Sequence, residues 1–319
     1  MVPGKFSVIV PVFNSRLHLK LCLDSVLAAI EKYGNAELIV LDNGSTDGSY
    51  EILQQDYKSA QVWSVPGLTI AAVRNHGAEL SNGEYLSFID SDCVIPDDYF
   101  KRALEVFRST HADATGSMVA LPETANWIEH NWHALHERKI EGYVNYLNSG
   151  NLLVRSAAFA QVKGFDTSLR TGEDADLGNR LRNTGGRIYE CHAIRAIHLG
   201  IPTSLGQFVR RQAWYGQGML GYLHLWRPVA TMLMYPVLTL VGVLAFYLTH
   251  GPLWVRLLIS LLLINMIPAA AVIYRLRRLG HVPPLLPALF LYHCFYVGRF
   301  CGLARTLVGG GSRSYRKES

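Results

Sequence analysis

Asp90 and Asp92 flank a single serine just after the apolar run Tyr85 to Ile89. Two carboxylates so spaced at the end of a strand can hold a hard divalent cation between themselves and a diphosphate, and Mg²⁺ and Mn²⁺ both prefer such oxygen ligands. The plainer alternative is a pair of solvated turn acids. A second acid pair, Glu173 and Asp174, opens a helical pattern. One carboxylate there can take the proton of an attacking hydroxyl while a cation stabilises the leaving charge. Otherwise both are first-turn acids that favour the helix macrodipole. His198 follows the last strand-like segment, where an imidazole is either a metal ligand or structural.

These groups need a frame. Phe6 to Phe13 reads as a buried strand, and Ser15 to Ile30 carries a helical stripe of Leu17, Leu21, Val26, Leu27 and Ile30. Glu37 to Asp42 repeats the strand, Asn43 to Gly48 forms a turn, and a helix runs from about Ser49 to Tyr57. A strand (Gln61 to Val65), a helix (Ile70 to Leu80) and a strand (Tyr85 to Ile89) follow. Alternation of this kind predicts an α/β fold with a mostly parallel sheet covered by helices on both faces. Ligands of such sheets sit outside the carboxyl ends of the strands, which here end at Asn14, Asp42 and Asp90. Farther on, a strand (Asn151 to Val154), a helix from Glu173 to Asn183 and a strand near Arg187 to Cys191 read as the acceptor half of the same domain, residues 1–203.

Seven segments then occur in order: Val8-Ile-Val-Pro-Val-Phe-Asn14, Leu41-Asp-Asn-Gly-Ser-Thr-Asp47, Ala72-Val-Arg-Asn75, Gly83-Glu-Tyr-Leu-Ser-Phe-Ile-Asp-Ser-Asp92, Gly150-Asn-Leu-Leu-Val-Arg155, Gly164-Phe-Asp166 and Gly172-Glu-Asp-Ala-Asp-Leu177. Over roughly residues 6 to 200 this resembles the signature of family 2 glycosyltransferases with the Rossmann-like GT-A fold. The resemblance implies an inverting, metal-dependent transfer of a sugar from a nucleotide diphosphate sugar. By it, Asp42 accepts from an imide N–H of the base, as in uracil, and so favours UDP. Pro11 and Asn14 shape the nucleotide edge, and Arg74 reaches the base or phosphates. Asp92 is the metal ligand, with Asp90 nearer the ribose or the metal's water shell, and His198 completes the site. Asp174 is the base and Glu173 orients or contacts the acceptor. The helix start would keep Asp174 ionised.

Charged residues are only 17% of the 319 and hydrophobic ones 50%, and no acid occurs from Val229 to Leu307. Residues 204–228, with Arg210, Arg211 and several aromatics, suit an amphipathic helix along lipid headgroups. Gln207-Phe-Val-Arg210 resembles the QxxRW element of processive polysaccharide synthases, but Arg211 stands where Trp is expected. Arg210 and Arg211 hold either the diphosphate or lipid phosphates. A transmembrane region, 229–307, follows, with runs 229–249 and 253–274 each long enough to span and a third, 285–303, that either crosses or is re-entrant. Arg275, Arg277 and Arg278 after the second run put the catalytic part on the cytoplasmic side. The chain ends in a basic tail, 308–319. Five scattered cysteines without a CxxC pair, and the lack of a secretory signal, fit that compartment. Nothing suggests nucleic acid. The histidines of Glu129 to His136 lack a HExxH order, and that helix is read as lining an acceptor entrance. The acceptor is then lipid-linked or a membrane-proximal glycan. A processive synthase and a non-catalytic sugar-nucleotide-binding membrane partner are the alternatives.

Overall fold

The computed structural model describes residues 1–137, 141–218, 226–277 and 284–308. Residues 219–225 of the amphipathic stretch, Arg278 and residues 309–319 of the basic tail lie outside the described residues. The chain divides into two compact units, one from residues 1–123 and 140–201 and the other from residues 124–139 and 202–315.

The first unit is built from β1 (Val2–Val12), α1 (Arg16–Tyr33), β2 (Ala36–Asp42), α2 (Ser49–Asp56), β3 (Gln61–Ser64), α3 (Ile70–Leu80), β4 (Gly83–Ile89), β5 (Cys93–Val94), α4 (Tyr99–Thr110) and β6 (Ala114–Gly116). After α5 (Trp127–Ala134), which belongs to the second unit, come β7 (Gly142–Tyr143), β8 (Asn151–Arg155), α6 (Ser156–Gln161), α7 (Glu173–Asn183), β9 (Ile188–Glu190) and β10 (Ile197–His198). Eight strands form one sheet in the order β3-β2-β1-β4-β8-β6-β9-β7. β1 runs parallel to β2 and β4, and β2 to β3, whereas β8 is antiparallel to β4 and β6. The sheet is therefore mixed, and mostly parallel on the side of the first strands. Register places Val12 opposite Asp42 and Ile9 opposite Phe88, so the carboxyl ends of β1, β2 and β4 share one edge.

β1 is buried from Phe6 to Val12 because both faces of the sheet are covered. One core holds Val8, Val10, Leu23, Val26, Phe100 and Phe107, and the other holds Ile9, Leu41, Phe88, Val154, Phe159 and Leu177. Each such side chain contributes roughly 1.5–3 kcal/mol on burial. The α1 stripe expected from sequence is rotated. Leu17 and Leu21 are exposed, and Leu19, Cys22, Leu23, Val26 and Ala29 face the sheet, because this second stripe is the longer one along the helix. Helix α4 carries Tyr99, Phe100, Ala103, Val106 and Phe107 on its buried side, an amphipathic pattern the sequence reading passed over. At Gly77 a Cβ would lie 2.5 Å from Ile9, so α3 approaches β1 closely only as glycine.

The second unit consists of α5 with α8 (Leu205–Gln217), α9 (Trp226–Leu248), α10 (Leu253–Leu276) and α11 (Leu285–Leu307). Residues 229–248, 253–276 and 285–307 are each long and apolar enough to cross a membrane. The buried face of α8 packs against α11: a Cβ on Gly298 would meet Gln212 and the Val209 carbonyl, both at 2.7 Å, and one on Gly302 would clash with the Ala213 carbonyl. Small residues let these backbones approach as paired membrane helices do. Across α9, α10 and α11 runs a chain of hydrogen bonds, with Tyr235 Oη 3.0 Å from His293 Nδ1 and His293 Nε2 3.0 Å from Asn265 Oδ1. Since the amide oxygen only accepts, Nε2 carries the proton and Tyr235 donates to Nδ1. The helix of Glu129 to His136, expected beside an acceptor entrance, packs in this unit because Trp132 and Leu135, with Ile128 just before them, find apolar partners in Phe208, Leu291 and Phe295.

Candidate active site at the carboxyl edge of the sheet

Just past β1, Asn14 adopts a left-handed conformation (φ 47°) that turns the chain. Its Oδ1 accepts from the Thr46 amide at 2.8 Å, and its amide donates to Ser45 Oγ at 3.0 Å. Pro11 lies within β1 opposite Leu41. Asp42 closes β2, and its Oδ2 accepts from the amides of Gly44 and Ser45, each at 3.0 Å. Asp42 is 2% exposed, and its Oδ1 is buried with no partner among the described residues. An unsatisfied buried acceptor costs about 1–3 kcal/mol, so its retention marks a place where a donor can arrive.

The acids of the DxD segment diverge. Asp90 Oδ1 accepts from Arg74 Nη2 at 2.7 Å, and the other arm of the same guanidinium, Nη1, donates to Glu173 Oε1 at 2.8 Å. Arg74, 3% exposed, thus bridges the end of β4 and the start of α7. The next residue secures the bridge's position. Asn75 Nδ2 donates to the Phe165 carbonyl at 2.8 Å and its Oδ1 accepts from the Phe165 amide at 2.9 Å, while the Arg74 guanidinium lies 5.8 Å from the Phe165 ring centre. Gly164 has φ 69°, and a Cβ there would lie 2.6 Å from Asn75 Oδ1, so glycine is required for the clasp.

Asp92 turns the other way. The short ribbon of β5 and β10 sets His198 opposite Cys93, which brings His198 Nε2 within 3.1 Å of Asp92 Oδ1. The Leu199 amide donates to the Asp92 carbonyl at 2.8 Å. Gly200 presses on the carboxylate so closely that a Cβ would overlap Asp92 Oδ2. Ligand atoms of Asp92, Cys93 and His198 lie within 4.8 Å of one another. A carboxylate and an imidazole make a donor set that Mn²⁺ or Mg²⁺ accepts, so the residues fit a divalent cation, the carboxylate being the hard donor common to both. At Gly150 a Cβ would lie 2.7 Å from Asp90 Oδ2, which keeps that oxygen's surroundings open to a close approach.

Glu173 and Asp174 form the first turn of α7, behind Gly172 in a left-handed conformation (φ 78°). Glu173 is buried, whereas Asp174 keeps partial access to solvent although protein surrounds its carboxyl. Burial first, and the Glu173 charge next, push the Asp174 carboxyl up, to about 7. The ionised state expected from the helix start is therefore opposed, because a helix end contributes only about 0.3–1 kcal/mol and desolvation outweighs it. Downstream, Asp176 and Arg180 pair at 2.6 Å and Arg180 Nη1 donates to the Gly164 carbonyl at 2.7 Å, which locks α7 onto the same loop. The bridge and the clasp went unread in the sequence; the pairing of Gly164-Phe-Asp166 with Arg74-Asn75 as ordered segments was their only signal. Arg210 and Arg211 lie on α8 in the other unit, Arg210 exposed and Arg211 half-buried.

Residues 7–163 match the family model described as Glycosyl transferase family 2. The chain is similar to the glycosyltransferase AglE of Haloferax volcanii, 27% identical over 222 residues that cover 67% of this chain and 72% of AglE. It is 27% identical to the succinoglycan biosynthesis protein ExoA of Rhizobium meliloti over 57% of this chain, and spans only 59% of that protein. Among solved structures, the mannosyltransferase PcManGT from Pyrobaculum calidifontis, in complex with GDP-Man and Mn²⁺, superposes with a TM-score of 0.58 at 14% identity, covering 98% of this chain and 88% of that one. That likeness is one of fold.

Proposed function

Because the chain belongs to glycosyl transferase family 2 through residues 7–163 and folds as a GT-A-like α/β unit, we propose that it is an inverting, metal-dependent glycosyltransferase acting on a lipid-linked or membrane-proximal acceptor. The observation that carries this reading is Arg74, which joins the cation-side acid Asp90 to the acid pair at the start of α7. Acids for the leaving group and for the nucleophile are thereby held in one rigid network. Asp42 Oδ1 would accept from the imide N–H of a uracil base, with Pro11 and Asn14 along that edge. A divalent cation, for which Asp92 and His198 lie together and Asp90 is the further candidate from the sequence, would supply charge neutralisation to the departing diphosphate. Mn²⁺ accompanies GDP-Man in the structural relative, which supports the cation.

In the transfer, Asp174 takes the proton of the acceptor hydroxyl as its oxygen bonds to the anomeric carbon, and the bond from that carbon to the diphosphate breaks on the opposite face. The electron pair leaves with the nucleoside diphosphate. A carboxyl titrating near neutrality suits a base that must both receive and release a proton. Glu173, held by Arg74, orients the acceptor side. The catalytic part is assigned to the cytoplasmic side of the membrane by the arginines after α10. A donor screen with UDP, GDP and dTDP sugars on membranes, with Mn²⁺ or EDTA, tests the reading by nucleoside diphosphate release. Turnover untouched by EDTA overturns the cation, and full turnover by Asp174→Asn overturns the base.

A further inference from the structure

The segment between β7 and β8 belongs to the first unit, as do α7 and the end of β4. Leu147, buried in the sheet core that also holds Leu177, pins its middle, and at its start the Val144 amide donates to the Ile188 carbonyl at 2.9 Å. On either side of Leu147, the residues Asn145, Tyr146 and Asn148 are exposed. A backbone held in this way presents those side chains in fixed places.

Three contacts show what the segment borders. A Cβ on Gly178 of α7 would lie 2.5 Å from Tyr146 Cβ and 2.8 Å from the Asn145 carbonyl oxygen. Ser149 Oγ donates to Glu173 Oε1 at 3.4 Å. The point where a Gly150 Cβ would stand is 2.7 Å from Asp90 Oδ2 and 3.2 Å from Asn148 Oδ1. The segment therefore runs from the face of α7 past Glu173 to Asp90. Gly178 follows Asp174 by one turn on the same face, and a helical Cβ leans toward the amino end. Tyr146 thus rests on the side of Gly178 that faces Asp174, the proposed base.

Tyr146 is 40% exposed, and the chemistry beside it is polar. Asn148 Oδ1 accepts from the Gly150 amide at 2.9 Å, which fixes that atom as the oxygen and leaves Nδ2 of this exposed side chain as a donor. An aromatic face flanked by amides matches a pyranose, whose C–H bonds meet the negative face of the ring while its hydroxyls meet the amides. A polyprenyl chain needs apolar neighbours and a phosphate needs a cation. Asn145 and Asn148, the exposed residues next to Tyr146 in this segment, offer neither.

We infer that Tyr146 is the platform on which the acceptor's terminal sugar stacks, with Asn148 Nδ2 donating to one of its hydroxyls. The group glycosylated beside Asp174 is then a saccharide and not a bare lipid phosphate. The inference rests on the proposed sugar-transfer reading of the site. Tyr146 positions the acceptor, and proton transfer stays with Asp174.

The test is saturation-transfer NMR on the full chain in a sugar-free detergent with UDP present, the probes being methyl glycosides of glucose, galactose, mannose and N-acetylglucosamine. At least one glycoside is expected to take up saturation through its ring C–H protons. Tyr146→Ala keeps the Cβ that rests on Gly178 and removes the ring, and should weaken binding of that glycoside about fivefold or more, the worth of one aromatic contact. Tyr146→Phe should retain it. Asn148→Asp keeps an oxygen for the Gly150 amide but loses the donor, and should weaken binding in the same range. Tyr143→Ala, at an exposed ring that packs on Tyr189, leaves binding unchanged. Should Tyr146→Ala fail to fold, Asn148→Asp carries the test. No glycoside bound by the wild type, or one bound equally by the folded variants, overturns the inference. UDP binding, read by calorimetry on the same samples, reports separately: a glycoside bound through Tyr146 without UDP supports the platform and removes the donor reading.

Discussion

Replacing Arg74 by methionine removes the one side chain that, among the described residues, pairs with both Asp90 and Glu173, while keeping an unbranched side chain of similar length. The guanidinium is 3% exposed and makes its two ion pairs at 2.7 and 2.8 Å. Breaking a buried pair by deleting one partner costs about 3–5 kcal/mol, a large part of the ~5–15 kcal/mol that hold a domain folded. For a unit of this size, each kcal/mol moves the midpoint of thermal unfolding by roughly 2–4 °C, so Arg74→Met should lower it by roughly 6–20 °C. Arg74→Lys should fall between, because an ammonium cannot present two parallel arms to two carboxylates. The assay is thermal unfolding of the purified full chain in detergent, followed by tryptophan fluorescence. Adding Asp90→Asn and Glu173→Gln to Arg74→Met removes the stranded charges and should restore more than half of the loss. A drop below about 1 kcal/mol for the single change, or no recovery in the triple, would refute the claim that one cation carries this junction.

Three further outcomes are expected. Activity, as kcat/KM, should fall as pH drops through about 7, following protonation of Asp174, and Asp174→Asn should lower kcat by about 10²–10⁴. Stability moves oppositely: folded Asp174 keeps a proton that the unfolded chain sheds near pH 4, so the wild type weakens as pH rises from about 4 to 7 and Asp174→Asn flattens that slope; a profile with its acidic limb below pH 5 sinks the assignment. Gly200→Ala forces a methyl onto Asp92 and should raise the Mn²⁺ concentration for half-maximal activity about tenfold, with UDP affinity in EDTA unchanged; an unshifted Mn²⁺ titration contradicts the placement. Asp42→Asn keeps an oxygen for the Gly44 and Ser45 amides but loses the charge, so donor KM should rise about tenfold, and an unaltered KM would remove Asp42 from base recognition.

Much of the frame was legible because its elements are long and periodic. The strand and helix run from Phe6 to Ile89 follows the expected alternation, and α7 begins at Glu173 and ends at Asn183 as its pattern predicts. What escaped was non-local. β5 and β10 have two residues each, too short for any periodicity, yet they bring His198 to Asp92. Nothing in the DxD segment itself points Asp90 to Arg74, and only the packing of α3 assigns that pair. Antiparallel β8 breaks the parallel rule because its strand reads as apolar in either direction. Helix α5 sits between strands of the first unit in sequence but packs with the second, since its buried residues find their partners in α8 and α11. Asp174 shows the limit of motif reasoning: a helix start suggests an ionised acid, and burial next to Glu173 reverses that.

The hydrogen-bonded line from Tyr235 through His293 to Asn265 bears on how the chain is made. A histidine midway along α11 enters hydrocarbon at a penalty when alone. α9 and α10 precede α11 in the chain, so if the three helices cross a membrane, a phenol and an amide are already there when α11 enters. The least apolar of the three helices would thus find partners for its imidazole on the two that come before it, and without α11 the Tyr235 hydroxyl would lose its His293 acceptor.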